Sequence, residues 1–189
     1  LWVYREKLRR FYKELTEYNN AFKPFEICRD GINFKLDNSE RATFQGYGLD
    51  LEFERWPDYA KYLSGGWFEE FVYLQCKPYE DTGVIQDLRI NVKLNLKQEN
   101  AWNHSNFGAE YNELDVTFTD GYSLYIVECK AGNLTQEQVM KLQNLVRFYG
   151  GTEGRGIIAC CVPPNTESAK RKIKDARLML WSGASLVEQ

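Results

Sequence analysis

Glu113-Leu-Asp115-Val-Thr-Phe-Thr-Asp120-Gly121-Tyr-Ser-Leu-Tyr-Ile-Val-Glu128-Cys-Lys130 sets two strand-like runs on either side of an Asp-Gly pair. Asp-Gly between alternating apolar residues is a strong hairpin signal. A two-residue turn at Asp120-Gly121 predicts Thr119 opposite Tyr122, Asp115 opposite Ile126 and Glu113 opposite Glu128. Side chains alternate across a strand. Glu113, Asp115, Glu128 and Lys130 therefore share one face, and Leu114, Val116, Phe118, Tyr125 and Val127 share the other. Asp115 and Glu128 become diagonal neighbours, about 7–8 Å apart, while Glu113 and Glu128 oppose directly and repel.

A charged face on an antiparallel hairpin is ordinarily the wet face. Three details argue for more here. The run 122–129 is almost wholly apolar and aromatic until Glu128, as a buried strand is. Its charge comes only at the carboxyl end, where open sheets place ligand sites. A helix start comes directly after it, with Thr135 as N-cap and Gln138 three residues on. A divalent cation would relieve the repulsion among the carboxylates.

Composition narrows the choices. The chain has 189 residues, 43% hydrophobic and 15% aromatic, enough for one domain with a large attachment or for two small domains. It carries no long apolar stretch and no signal-like start, so the reading is a cytoplasmic protein with no membrane insertion. It begins at Leu1 rather than Met, from which we expect a fragment of a longer protein. Net charge is −3, yet residues 141–177 hold eight Lys or Arg against three Asp or Glu. Such a stripe can track phosphates or simply be two solvated helix faces. The five cysteines form no C-x-x-C pair and His104 is the sole histidine, which excludes the usual zinc sites and a His-based triad. We expect reduced, buried thiols, with Cys129 in the core.

Periodicity organises the rest. Tyr4, Leu8, Phe11, Leu15 and Tyr18 have helical spacing. Short strands are predicted near 25–28, 32–36 and 49–54, so residues 1–62 read as a helix and hairpin extension. From Ser64, taken as a cap, a helix runs to Cys76 with Trp67, Phe71 and Leu74 inward and Val72 and Tyr73 as further inward candidates. Next in order are a strand over 87–97, the key hairpin, a helix over 135–149, a strand over 155–162, a helix over 165–176 and a short strand near 178–180. The fold class is α/β, a mixed sheet built as an αβββαβ core over residues 63–189.

That order, with Asp115 followed by Glu128-Cys129-Lys130 on the second and third strands, resembles the PD-(D/E)xK or restriction-endonuclease-like superfamily. Gly65-Gly66-Trp67-Phe68-Glu69-Glu70-Phe71, Asn112-Glu113-Leu114-Asp115-Val116 and Lys141-Leu142 before Gly150-Gly151 narrow the resemblance. They are similar to the nuclease half of CRISPR-associated ancillary nucleases that join a CARF sensor to a restriction-like domain. The resemblance covers roughly residues 64–181. It implies cleavage of DNA or RNA with Mg²⁺ or Mn²⁺, control by a cyclic oligoadenylate at a CARF sensor outside this chain, and a homodimer. It also assigns Asp115 and Glu128 as metal carboxylates, Lys130 as the lysine that orients the attacking water, and Glu70 as a helical acid adding to the metal shell. Glu113 and Lys141 fall at flanking positions.

The residues support that chemistry on their own. Hard cations take carboxylate oxygens and leave room for water and substrate. A lysine beside a developing oxyanion stabilises it. Glu70 is equally a helix-surface acid beside Glu69, and Lys141 an ordinary solvated lysine. Trp102, Phe107 and Tyr111 either stack on an extruded base or close a core edge. Trp2, Tyr4 and Tyr18 are candidates for a dimer face. The competing functions are a repair or junction-resolving nuclease of the same fold, and a non-catalytic module that binds nucleic acid or dimerises.

Overall fold

A computed structural model describes residues 2–18, 24–95 and 111–186. The chain divides into two compact units, residues 1–71 and 72–189.

The first unit holds helix α1 (Arg5–Tyr18) and strands β1 (Phe25–Arg29), β2 (Ile32–Leu36), β3 (Ala42–Gly46) and β4 (Leu49–Phe53). The strands form one antiparallel meander in sequence order. β2 alternates cleanly, with Ile32, Phe34 and Leu36 buried and Asn33 and Lys35 exposed. Leu8, Phe11 and Leu15 of α1 join them in one core with Phe44 and Tyr59. Asp30 and Gly31 both take positive φ, as a two-residue hairpin turn requires.

The extension is larger than a helix and hairpin. It includes β3, whose sequence Ala-Thr-Phe-Gln-Gly is short and only weakly apolar and so carries little strand signal. It also includes a short helix, α2 (Trp56–Lys61), which the periodicity does not predict. Trp2 and Tyr4 are not displayed as a free face: Trp2 stacks on Phe71 at 4.8 Å and Tyr4 on Tyr47 at 4.2 Å.

A π-helical turn, Tyr62–Gly66, leads into helix α3 (Trp67–Asp81). Ser64 is therefore not an N-cap, since the backbone is already helical there, and its hydroxyl donates to the Lys61 carbonyl at 3.0 Å. Trp67, Phe68, Val72 and Cys76 are the buried residues of α3, whereas Leu74 is 55% exposed. Trp67 and Val72 are thus inward as expected, Phe68 and Cys76 join them, Phe71 is half-buried, and Leu74 is not inward.

The second unit is a five-stranded sheet in sequence order: β5 (Gln86–Asn95), β6 (Tyr111–Thr119), β7 (Leu124–Lys130), β8 (Arg155–Cys160) and β9 (Met179–Ser182). β5, β6 and β7 pair antiparallel, and β7, β8 and β9 pair parallel. Helix α4 (Gln136–Gly150) links β7 to β8, and helix α5 (Glu167–Asp175) links β8 to β9. This is the mixed α/β sheet expected from the sequence.

α4 starts where its capping signal places it. Gln138 N–H donates to Thr135 Oγ1 and Thr135 N–H to Gln138 Oε1, at 3.3 and 3.0 Å. Val139, Leu142, Leu145 and Val146 bury one stripe of the helix, in a cluster with Ile126, Ile158 and Cys160. Of the cysteines, Cys76, Cys129, Cys160 and Cys161 are buried thiols, while Cys28 is exposed on β1, contrary to expectation. Burial pushes the Cys76 and Cys160 thiols up to about 11. Among the described residues no helix is long and apolar enough to cross a membrane.

Gly156 is fixed by close approach. A Cβ there would run into Leu178 and would lie 2.9 Å from a Val146 methyl carbon. Gly156→Ala is expected to destabilise by about 1–3 kcal/mol through overpacking, read as a lower denaturant midpoint with an unchanged slope.

Candidate nuclease site

The hairpin turn is longer than two residues. The ladder runs Thr119↔Leu124, Phe118↔Tyr125, Thr117↔Ile126 and Val116↔Val127, so Asp120–Ser123 form the connection. Asp120 Oδ1 accepts the Tyr122 and Ser123 N–H groups at 2.9 and 2.7 Å, and its Oδ2 accepts the Tyr125 hydroxyl at 3.0 Å. A side chain that binds its own following backbone competes with the tighter turn. The register slips by two residues from the expected one. An even slip leaves every side chain on its face, whereas an odd slip would have moved the carboxylates.

The slip takes Glu113 out of the expected repulsion with Glu128 and puts Asp115 in its place. One step beyond Val116↔Val127 come Asp115 and Glu128, while Glu113 stands across from Lys93 on β5. Glu113 is thus opposite a cation rather than opposite Glu128.

The β6–β7 ladder stops at that point. β6 continues alongside β5 as far as Asn95↔Tyr111. Glu128, Cys129 and Lys130 keep partners on the β8 side, at Ile158, Ala159 and Cys160. Asp115 fills the break with its side chain, where Oδ2 accepts the Cys129 N–H at 2.7 Å. A carboxylate thus occupies the place of a ladder carbonyl. Leu114, expected on the face of Val116 and Phe118, instead joins the cluster containing Ile126 and Val139. Beyond the break its strand is paired to β5, at Val92.

Glu128 is buried, its side chain 7% exposed, and Lys130 Nζ lies 2.6 Å from its Oε1. A buried carboxylate needs such a partner. Burial tends to lower the Lys130 pKa, but the adjacent Glu128 carboxylate, with Asp115 adding to it, holds it above the ordinary lysine value. Lys130 is an ammonium at neutral pH and feels both carboxylates. Its carbonyl also accepts the Cys161 N–H at 2.9 Å, fixing the strand end to the chain leaving β8.

Three of the four expected residues, Asp115, Glu128 and Lys130, meet at this break. Glu70 lies in the first unit on α3, where Oε2 accepts the Tyr62 hydroxyl at 3.1 Å. Burial and the Glu70 carboxylate both raise the Tyr62 pKa. Lys141 is exposed on α4. Trp102 and Phe107 lie outside the described residues, and Tyr111 opens β6. Among the described residues no three His, Cys, Asp or Glu side chains form a group able to hold a metal ion. The donor set at the break is two carboxylates. That fits Mg²⁺, which takes one or two carboxylates and fills its remaining positions with water and phosphate oxygens.

The Cys129 N–H anchor is invisible in the sequence, because a backbone donor leaves no trace in residue identity. Tyr62 was legible in principle, eight residues before Glu70 and so about two helical turns away.

A sequence model of the family described as "Card1-like, endonuclease domain" matches residues 58–181. The chain belongs to the Card1-like endonuclease domain family. This Card1-like chain is similar in fold to protein VC1899 from Vibrio cholerae, with a TM-score of 0.60 and 20% identity over 96% of this chain and 40% of that one. It is likewise similar to Can2 from Sulfobacillus thermosulfidooxidans, solved in complex with cyclic tetra-adenylate, with a TM-score of 0.57 and 19% identity over 98% of this chain and 53% of that one. The Card1-like chain thus spans about half, or less, of these solved structures. No curated protein matches it.

The anchoring and charge roles of Asp115 are separable. Asp115→Asn keeps an acceptor for Cys129 N–H and is expected to melt within a few degrees of the parent. Asp115→Ala strands that donor and is expected to cost about 1.5–3 kcal/mol, measured by thermal or denaturant unfolding.

Proposed function

We propose that this chain is a metal-dependent endonuclease domain that hydrolyses phosphodiester bonds in DNA, RNA or both. The observation that carries the reading is the meeting of the Asp115 and Glu128 carboxylates and the Lys130 ammonium where β6 and β7 stop pairing. The Card1-like family assignment agrees with it. Asp115 and Glu128 would hold Mg²⁺ or Mn²⁺. When bound, such a cation supplies charge relief on phosphoryl oxygens and a more acidic water.

The chain's own residues do the rest. Asp115 is held in place through Oδ2, by the Cys129 N–H, so its charge is oriented at the break. Glu128 sits in a water-poor position where its charge acts at low screening. Lys130 carries a full positive charge that can move from Glu128 to a phosphate oxygen or hold the attacking water in line. Glu70 is a proposed further acid, and Glu70→Ala in a metal titration decides its part.

Control by a cyclic oligoadenylate, a CARF sensor joined to this domain, and a homodimer belong to the same proposal. The resemblance read in the sequence supports them, and the cyclic tetra-adenylate bound to Can2 makes that ligand the first to try.

A cleavage panel on single-stranded, duplex and plasmid substrates with Mg²⁺, Mn²⁺ and chelator tests the central claim. Cutting is expected with either metal and none with chelator. Glu128→Ala and Lys130→Ala are each expected to lower the rate by about a thousandfold or more while circular dichroism stays unchanged. Undiminished cutting by either variant would remove the site assignment. Calorimetry with Mn²⁺ should show saturable binding that Asp115→Ala loses; a non-catalytic module would show none.

A further inference from the structure

The basic stripe seen in the sequence has a definite place in the fold, and the proposed cleavage site does not use it. Residues 169–177 hold Lys170, Arg171, Lys172, Lys174 and Arg177 against a single acid, Asp175. All five cations are exposed, and α5 turns Ile173 inward. Lys170 and Lys174 have i, i+4 spacing on one face of α5, and Arg177 lies just past the helix end at positive φ. Like charges four apart on a helix repel. Lys170 is partly offset by Glu167, at 2.9 Å. On the flank toward α4, Lys172 spends its ammonium on a neutral amide, Gln136 Oε1 at 2.6 Å.

A solvated helix usually intersperses both signs. The helix dipole accounts for cations in the last turn, here Lys172 and Lys174. Upstream, Lys170 faces Glu167 at 2.9 Å and Arg171 faces Asp175 at 3.9 Å, both as exposed pairs, and Arg177 lies past the helix end. Residues 167–177 hold five Lys or Arg against two Asp or Glu, and an external polyanion would compensate the surplus of three.

Position supplies the partner. Cys160 pairs with Lys130, and Cys161 N–H bonds the Lys130 carbonyl at 2.9 Å. From Cys161 the chain reaches Thr166, the cap of α5, in five residues. Fully extended, five residues span at most about 18 Å. Duplex nucleic acid advances about 3.4 Å per strand phosphate. The start of α5 therefore lies within about five base-pair steps of the strand end that carries Lys130, and Lys170 and Lys174, at about 1.5 Å of rise per residue, within about seven and nine. A small polar cleft of about 180 Å³, lined by Thr135, Gln136, Thr166, Ser168 and Lys172, lies between the first turns of α4 and α5.

We infer that the exposed face of α5 with Lys170 and Lys174, together with Arg177 just past its end, binds the sugar-phosphate backbone of the nucleic acid whose scissile bond lies at Asp115, Glu128 and Lys130. The inference rests on the nuclease reading above and adds where the flanking substrate is held. The contact is to phosphates, so it sets affinity and salt dependence and not the chemical step.

The test joins Lys170→Ala, Lys174→Ala and Arg177→Ala in one full-length chain. Binding to labelled DNA and RNA oligonucleotides is followed by fluorescence anisotropy across a salt series, in a Glu128→Gln background so that nothing is cut. Affinity is expected to fall about 10- to 100-fold near 0.1 M salt, with the log–log salt slope smaller by about 2–3. In the otherwise unchanged chain, KM should rise by a similar factor and kcat should stay within about twofold. A second triple variant to Gln, keeping side-chain bulk, should reproduce the loss. Lys35→Ala with Arg41→Ala, exposed cations of the first unit, should leave affinity unchanged.

Unchanged affinity and slope in both triple variants overturn the inference, as does an equal loss in the Lys35 and Arg41 control. A fall in kcat with constant KM overturns it too, since that places α5 in the chemistry. The two readings fail separately. Glu128→Ala that still cuts sinks the cleavage site and leaves the binding measurement standing.

Discussion

The hydrogen bond from Cys129 N–H to the Asp115 carboxylate is the constraint on which this molecule's site depends. Sheets place backbone carbonyls opposite backbone donors. Here a side chain takes the role of the carbonyl, at 2.7 Å, at the point where β6 and β7 part. The same bond ties the two strands together where their ladder has ended. An acid anchored through one oxygen to a backbone N–H has its charge oriented by the sheet itself.

Glu128 and Lys130 show how a charged pair can be kept inside a sheet. Removing a carboxylate from water is costly unless an opposite charge is at hand. Their neighbours are the buried Ile158 and Cys160 of β8, and their shared environment is apolar up to the mouth of the break. The pair is tight, at 2.6 Å. The stiff frame is α4, capped at Thr135 and packed through four buried residues onto β7 and β8. A rigid helix and a central parallel strand pair keep the three side chains from drifting apart.

The first unit is a separate body with its own core of aromatic and branched residues on one meander. Its two-residue turn at Asp30-Gly31 shows the geometry that Asp-Gly promises. The turn at Asp120-Gly121 does not, because Asp120 there has three donors within reach of its carboxylate. The same dipeptide makes two different turns, and the residues on its carboxyl side decide between them. Tyr122, Ser123 and Tyr125 supply donors to Asp120, whereas Gly31 passes straight into β2.

The faces of Val116–Thr119 and Leu124–Val127 were legible from the sequence, because alternation along a strand is a matter of counting and survived a two-residue slip while the ladder lasted. Thr135 and Gln138 announced α4 because a capping box is local, and the order of elements came from periodicity. Leu74 and Leu114 were placed on the wrong faces, since a helix face depends on its phase and a strand face on continued pairing. β3 was missed because five weakly apolar residues carry too little pattern. Spacing alone determined that Asp115, Glu128 and Lys130 would be near one another. Only the tertiary structure decided that Glu113 would face Lys93, that Asp115 would bind a backbone donor and that Lys130 would pair with Glu128. Those outcomes depend on where one ladder ends, and a ladder ends where neighbouring strands compete for the same backbone groups, which no single stretch of sequence records.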